Sequence, residues 1–355
     1  MNQMSIKLAI NGFGRIGRLA FRRAYEEGDF EVVAINDLVD AEYLAYLLKY
    51  DTTHRTWMKD DIKGITEKDA EGNITKNVIV FKGKEIPVLG KKDPHELNWG
   101  KYGVDIVLEC TGRLKSRADG NVHLENGAKG VMISAPSSDK DIPTFVYGVN
   151  TDKLTPDMKV ISGASCTTNC LAPVMKVLND EFGVQGGTMT TVHAYTNDQT
   201  ILDLAYKNRR RGRAAAANIV PTTTGAAKAI GLVIPELKGA LNGNAIRVPV
   251  TDGSLCDCTI TLKKKVTVEE INAALKKAAE GPLHEALDYN EDEIVSSDIL
   301  GNTHGSIFDA TMTMIVEDPT GMQHVKVVSW YDNEYSFTCQ YVRLARAYAH
   351  VLGVK

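Results

Sequence analysis

The feature that most constrains this chain is a turn of spaced glycines, Asn11-Gly12-Phe13-Gly14-Arg15-Ile16-Gly17-Arg18. It follows a short apolar run at residues 6–10 and leads into a helix-compatible stretch at 18–27 that carries Leu19, Ala20, Ala24 and Tyr25. Strand, Gly-x-Gly-x-x-Gly and helix in that order form the pattern that cradles a pyrophosphate. The glycines permit the tight turn and close backbone approach, and the helix N-terminus offers unpaired N–H groups with a partial positive charge. The motif alone is weak, and its context carries it. A second strand at 32–35 ends on Asn36-Asp37, which places Asp37 twenty residues beyond Gly17. A carboxylate there accepts hydrogen bonds from the adenosine ribose hydroxyls and repels a 2′-phosphate, favouring NAD over NADP. The expectation is half of a Rossmann fold.

The alternation of strand and helix continues with short apolar runs at 104–108 and 130–133, which argues for a parallel sheet. Residues 52–100 are less regular and rich in Lys, Asp and Gly, with hairpin strands expected at 78–81 and 85–88; they read as an insertion. After about 165 the character changes. Segments at 184–193, 245–250, 255–262, 311–316 and 325–330 are β-rich, with helical patches at 171–181 and 268–279 and a last helix at 341–352. A chain of 355 residues accommodates two domains of about 150 residues each. The expected fold is α/β: a Rossmann NAD-binding domain with a mostly parallel sheet, residues 1–165 completed by a C-terminal helix at 336–355, and an α+β catalytic domain at 166–335 with a largely antiparallel sheet.

Composition narrows the function classes. With 43% hydrophobic and 24% charged residues the chain is neither disordered nor fibrous. A net charge of −4 sets up no positive field for nucleic acid, and the runs Arg209–Arg213 and Lys263–Lys265 lack interleaved aromatics, so they read as solvated or interface loops. No apolar run approaches the roughly 20 residues of a membrane span. Met1 to Lys7 passes straight into Leu8-Ala9-Ile10 and the glycines, so no signal peptide is expected. Six cysteines without paired metal-ligand spacing imply neither a disulfide framework nor a metal site, and point to a reducing, cytoplasmic setting.

One of those cysteines has a distinctive context. Ser162-Gly163-Ala164-Ser165-Cys166-Thr167-Thr168-Asn169-Cys170 leads small, polar residues into the helical patch at 171–181, so Cys166 is expected near a helix N-terminus. A thiol there has its thiolate stabilised and its pKa lowered; the alternative is a buried structural cysteine, which suits Cys170 better. His193 closes the strand Thr190-Thr191-Val192-His193, where it can serve as general base and as the cation that pairs with a thiolate, or be a structural histidine. Nicotinamide site, activated thiol and histidine together suit oxidation of an aldehyde through a thioester.

Four stretches carry a family resemblance: residues 11–18, Ala164-Ser165-Cys166-Thr167-Thr168-Asn169-Cys170-Leu171-Ala172-Pro173, Thr222-Thr223-Thr224-Gly225-Ala226-Ala227-Lys228 and Trp330-Tyr331-Asp332-Asn333-Glu334. In order and spacing the chain resembles phosphorylating glyceraldehyde-3-phosphate dehydrogenases from residue 6 onward, most loosely across 52–100, which looks expanded. The resemblance implies NAD as cofactor, with Asn11, Gly12, Phe13, Gly14, Arg15, Ile16, Gly17, Asp37, Thr111, Gly112 and Asn333 around it. It implies Cys166 as nucleophile and His193 as its base. Ser165, Thr167, Thr224 and Gly225 would hold the attacking inorganic phosphate, and Thr196 and Arg247 the phosphate of glyceraldehyde 3-phosphate. It also implies a homotetramer with residues 195–220 at an interface. One departure stands out: where NAD-specific relatives carry Leu-Pro, this chain has Leu204-Ala205, so some NADP tolerance stays open. Two rivals stay open as well, an erythrose-4-phosphate dehydrogenase and a catalytically idle NAD-bound binding or adhesion protein.

Overall fold

The computed structural model describes residues 5–354. Met1–Met4, part of the segment read for a signal peptide, and Lys355, the expected end of the last helix, lie outside the described residues. The chain divides into two compact units: residues 5–144, 152–163 and 341–354 form the first, and residues 145–151 and 164–340 the second.

The first unit is built on β1 (Ile6–Asn11), α1 (Arg15–Glu27), β2 (Phe30–Asn36), α2 (Ala41–Lys49), β6 (Ile106–Glu109), α3 (Arg117–Glu125), β7 (Gly130–Ile133) and β8 (Val160–Ser162). Its five-stranded sheet runs β2-β1-β6-β7-β8 with every pairing parallel. The centres of these strands are apolar: Leu8, Ala9, Ile10, Ile106, Val107, Leu108, Val131 and Met132 are fully buried. Helix α1 starts at Arg15, three residues before the expected stretch, because Gly14 already takes the capping position.

Residues 52–100 fold as a three-stranded antiparallel sheet, β3 (Ile62–Lys68), β4 (Ile74–Phe81) and β5 (Lys84–Pro87). The expected hairpin is its β4–β5 half; β3 carried no signal, since Ile-Lys-Gly-Ile-Thr-Glu-Lys is half charged and holds a glycine. Phe81 anchors the sheet with its ring edge-on to Phe21 at 5.3 Å and stacked on Trp57 at 5.5 Å, a geometry that adds about 1 kcal/mol per pair to burial. The chain then returns alongside β2, where Val88 bridges Ile35 and the Leu89 amide donates to the Ile35 carbonyl at 2.9 Å.

The second unit contains α4 (Cys166–Phe182), β9 (Val184–Ala194), β10 (Val220–Thr223), α5 (Ala226–Val233), β11 (Leu241–Val248), β12 (Ser254–Leu262), α6 (Val268–Ala279), β13 (Leu287–Asn290), β14 (Ser306–Glu317) and β15 (Gln323–Tyr331). The seven strands run β10-β11-β9-β12-β15-β14-β13; the β9–β11 and β13–β14 pairings are parallel and the rest antiparallel. Cys256, Cys258 and Ile260 alternate inward along β12 and share a core with Leu171, Met175 and Leu178 of α4 and Ile271 and Leu275 of α6. α7 (Tyr335–Val351) closes the chain, starting earlier than expected because Asp332 Oδ1 accepts the amides of Glu334 and Tyr335 at its first turn.

Candidate active site

In the first unit the glycine turn sits at the carboxyl end of β1. Gly12 has φ +91°, and a Cβ there would meet the Thr111 nitrogen at 2.7 Å, so only glycine fits. A Cβ on Gly17 would collide with the Gly12 carbonyl. Gly14 has open space where a Cβ would stand, and no side chain caps the first turn of α1. Gly12 and Gly14 line a cleft of about 360 Å³ with Asp37, Leu38 and Thr111. The sheet order reverses between β1 and β6 at this edge, the place where parallel α/β sheets take nucleotides. Open space over Gly14 and an uncapped helix start fit a dinucleotide's pyrophosphate.

The predicted cofactor residues of the first unit lie in or around this cleft, and Asn333 lies in the second unit. Asp37 accepts the amide of Phe13 at 2.8 Å and that of Val39 at 3.1 Å, so its carboxylate also fixes the turn. Arg15 forks onto Asp51, and the Asn11 side chain is bonded to Glu109 and Asn36. Ile16 lies in the first turn of α1, and Gly112 follows Thr111 with φ +67°. Sequence reasoning missed Lys91 and Lys92, which line the cleft through the return of residues 88–89 along β2. Two exposed lysines in a polar stretch carry no signal of their own.

In the second unit, Ala164 turns the chain with φ +61°, and Ser165 caps α4 by accepting the Thr168 amide at 3.1 Å. Cys166 is therefore the first helical residue, five positions before the expected start. Its Sγ lies 3.5 Å from His193 Nε2. His193 Nδ1 lies 2.7 Å from the Ala194 carbonyl and 3.0 Å from Arg247 Nη1; in the tautomer that donates to that carbonyl, the Nε2 lone pair faces the thiol. His193 on β9 and Arg247 on β11 are register partners, and Arg247 Nη1 donates to Ala194 O at 2.9 Å and to Thr196 Oγ1 at 3.3 Å. Arg247 Nε is buried without a hydrogen-bond partner among the described residues.

The electrostatics correct two expectations. Burial, and then the Arg247 cation, push His193 down to about 3, so the imidazole is neutral rather than a standing partner cation. The half-buried Cys166 thiol is raised by desolvation, against the pull of Arg247 and Thr167, instead of lowered as its helix position alone suggests. The resting pair is thiol and neutral imidazole.

Several supporting residues were invisible in the sequence. Tyr331, fully buried, bonds Thr167 Oγ1 at 2.9 Å and Thr191 Oγ1 at 2.8 Å and sets its ring edge-on to His193. Ser254 Oγ accepts the Ala194 amide at 3.1 Å, so its hydroxyl donates to Asn333 Oδ1 at 2.6 Å, leaving Asn333 Nδ2 as the donor for a ligand. Thr224 and Gly225 open α5 and are joined to the cluster through a loop: Arg211 bonds Asp198 and reaches Thr222 Oγ1 at 3.0 Å and Thr223 O at 3.3 Å. Pairings across strands and loops like these leave no trace in local sequence.

The comparisons agree with this arrangement. Residues 6–117 match the family model "Glyceraldehyde 3-phosphate dehydrogenase, NAD binding domain", and residues 165–333 match its C-terminal domain. The chain is 55% identical over 343 residues to a glyceraldehyde-3-phosphate dehydrogenase of Geobacillus stearothermophilus, covering 96% of this chain and 98% of the relative. It is 54% identical over 343 residues to glyceraldehyde-3-phosphate dehydrogenase 1 of Bacillus subtilis, at 96% and 98% coverage. The corresponding enzyme of Clostridium pasteurianum is 53% identical over 347 residues, at 97% and 99% coverage. With an NAD-binding unit, a thiol–imidazole unit and relatives aligned along nearly its full length, this chain belongs to the glyceraldehyde-3-phosphate dehydrogenase family.

Proposed function

We propose that this chain oxidises D-glyceraldehyde 3-phosphate with NAD and inorganic phosphate to 1,3-bisphosphoglycerate, through a thioester on Cys166. The observation that carries the proposal is the 3.5 Å approach of Cys166 Sγ to His193 Nε2 at the start of α4. Cys166 gives its proton to His193 Nε2, and the sulfur attacks the aldehyde carbon. A C–S bond forms, the carbonyl π pair moves to oxygen, and the His193 proton satisfies that oxygen as a thiohemiacetal. His193 Nε2 next takes the hydroxyl proton as the C=O bond reforms. A bound NAD would supply the acceptor for the hydride lost from this carbon as the thioester forms. Inorganic phosphate attacks the thioester carbon, the C–S bond breaks toward sulfur, and the acyl phosphate leaves with Cys166 restored.

Arg247 and Thr196 hold the substrate phosphate, and Ser165, Thr167, Thr224 and Gly225 the inorganic one. The unsatisfied Arg247 Nε and the hydroxyls at the start of α4 support that division. Asn11, Gly12, Phe13, Gly14, Arg15, Ile16, Gly17, Asp37, Thr111 and Gly112 hold the adenosine and pyrophosphate, and Asn333 the nicotinamide amide. Dinucleotide binding is the task of 1–165 with 336–355, and chemistry that of 166–335. The chain works as a homotetramer in the cytoplasm. Ile201, Leu202, Leu204 and Ile219, each more than 65% exposed, support an interface at 195–220, and six free cysteines support a reducing setting.

NADH formation with and without inorganic phosphate tests the mechanism. Turnover should require both glyceraldehyde 3-phosphate and phosphate; equal rates without phosphate would exclude the phosphorylating route, and a preference for erythrose 4-phosphate would change the substrate. Cys166→Ser should abolish turnover while NAD still binds. Light scattering on a sizing column reads the oligomer.

A further inference from the structure

The first unit contains a charged chain of hydrogen bonds that its core does not need. Trp99, His123 and Glu109 are at most 2% exposed. Trp99 Nε1, a donor only, reaches His123 Nδ1 at 3.0 Å, so Nδ1 carries no proton and the ring is the neutral Nε2–H tautomer. His123 Nε2 then donates to Glu109 Oε2 at 3.2 Å. The same oxygen accepts Asn11 Nδ2 at 2.5 Å, while Oε1 accepts the Thr111 amide at 2.8 Å and the Thr111 hydroxyl. Four donors converge on one carboxylate, and an O–H on either oxygen would face one of them.

The chain of bonds continues outward. Asn11 Oδ1 accepts Asn36 Nδ2 at 2.8 Å, and Asn36 Oδ1 accepts the Lys91 amide at 2.8 Å. Most of the lining of the dinucleotide cleft is thereby tied to Glu109: the ends of β1, β2 and β6 and the loops at 91 and 111. Thr111 matters most, since its nitrogen is the atom a Cβ on Gly12 would strike; where Thr111 stands decides where the glycine turn stands. A buried carboxylate whose partners are neutral donors is expensive, and an apolar residue of that volume would stabilise a core better.

We propose that Glu109 is a positioning residue for the cofactor: buffered by the Trp99–His123 pair, its carboxylate fixes Asn11 and Thr111 at the spacing the adenosine half of NAD requires. The proposal rests on the assignment of this cleft to the dinucleotide. Glu109→Gln places an NH₂ against donors, and Trp99→Phe removes the outermost N–H together with part of a buried ring that does not line the cleft. Calorimetry with ADP-ribose and with NAD should show dissociation constants raised about tenfold or more in Glu109→Gln and about threefold in Trp99→Phe, by the same factor for both ligands. KM for NAD should rise while kcat at saturating NAD stays within about threefold of native. A merely structural role would lower the melting temperature and leave ADP-ribose binding by the folded protein within twofold of native, which overturns the proposal. Should Glu109→Gln fail to fold, Trp99→Phe decides alone. If the native protein binds NAD but not ADP-ribose, the cleft assignment itself falls.

Discussion

Asp51 shows how much one pair of side chains does near the glycine turn. Its carboxylate takes the fork of Arg15 and the amides of Thr53 at 3.0 Å and His54 at 2.9 Å. Burial raises its pKa, but the Arg15 hydrogen bond and charge and the His54 amide outweigh that and hold it at about 2, below the ordinary 3.8. A carboxyl depressed on folding contributes above its unfolded pKa, and the contribution fades as pH falls from about 4 to 2. Asp51→Asn should therefore cost about 1 kcal/mol at pH 7, after allowance for solvent screening, and progressively less as pH falls through about 2. Urea midpoints at several pH values check it; a cost independent of pH would refute the ion-pair account. At this scale the sequence was informative where chemistry is local. Gly12, Gly17, Cys166 and His193 announced themselves through neighbours in the chain. Asp51, Tyr331 and Ser254 did not, because what defines them is a partner far along the chain.

Among elements, legibility followed apolar periodicity. The buried parallel strands and the alternation of β12 were readable, whereas α3 was not: Arg-Ala-Asp-Gly-Asn-Val-His-Leu-Glu shows little apolar face and rests on its Ser116–Asp119 capping box. The three-stranded sheet docks by close approach as well as by the burial of Ile79, Phe81 and Ile86. A Cβ on Gly64 of β3 would run into the backbone of Ala41 and Glu42 at the start of α2. Backbone cannot rotate aside, so Gly64→Ala should cost about 1–3 kcal/mol although alanine suits a strand no worse than glycine. The loss should appear as a lower melting temperature and faster protease cleavage within 62–87; native values would show that the sheet tolerates separation from α2.

For the whole molecule, cofactor choice is the property most open to adjustment. The carboxylate of Asp37, which would disfavour a 2′-phosphate, shares its cleft with the cations of Lys91 and Lys92. Asp37→Ala should leave those cations facing the ribose and raise the NADP/NAD ratio of kcat/KM by about tenfold or more, since the removed like-charge contact is worth several kcal/mol. An unchanged ratio would mean that the carboxylate serves the glycine turn alone.

Arg247 joins two events that are usually treated separately. After burial, its cation is the next largest force keeping His193 from taking a proton, and it is also the group proposed for the substrate phosphate. On that proposed assignment, a dianion arriving there would offset that field and make the imidazole a better proton acceptor once the substrate is seated. The enzyme then carries a lock keyed by charge, in which the phosphate end of the substrate arms the base that works at the aldehyde end. Glyceraldehyde without its phosphate should lose maximal rate as well as affinity, and a kcat equal to that of the phosphorylated sugar would show the two ends to be independent.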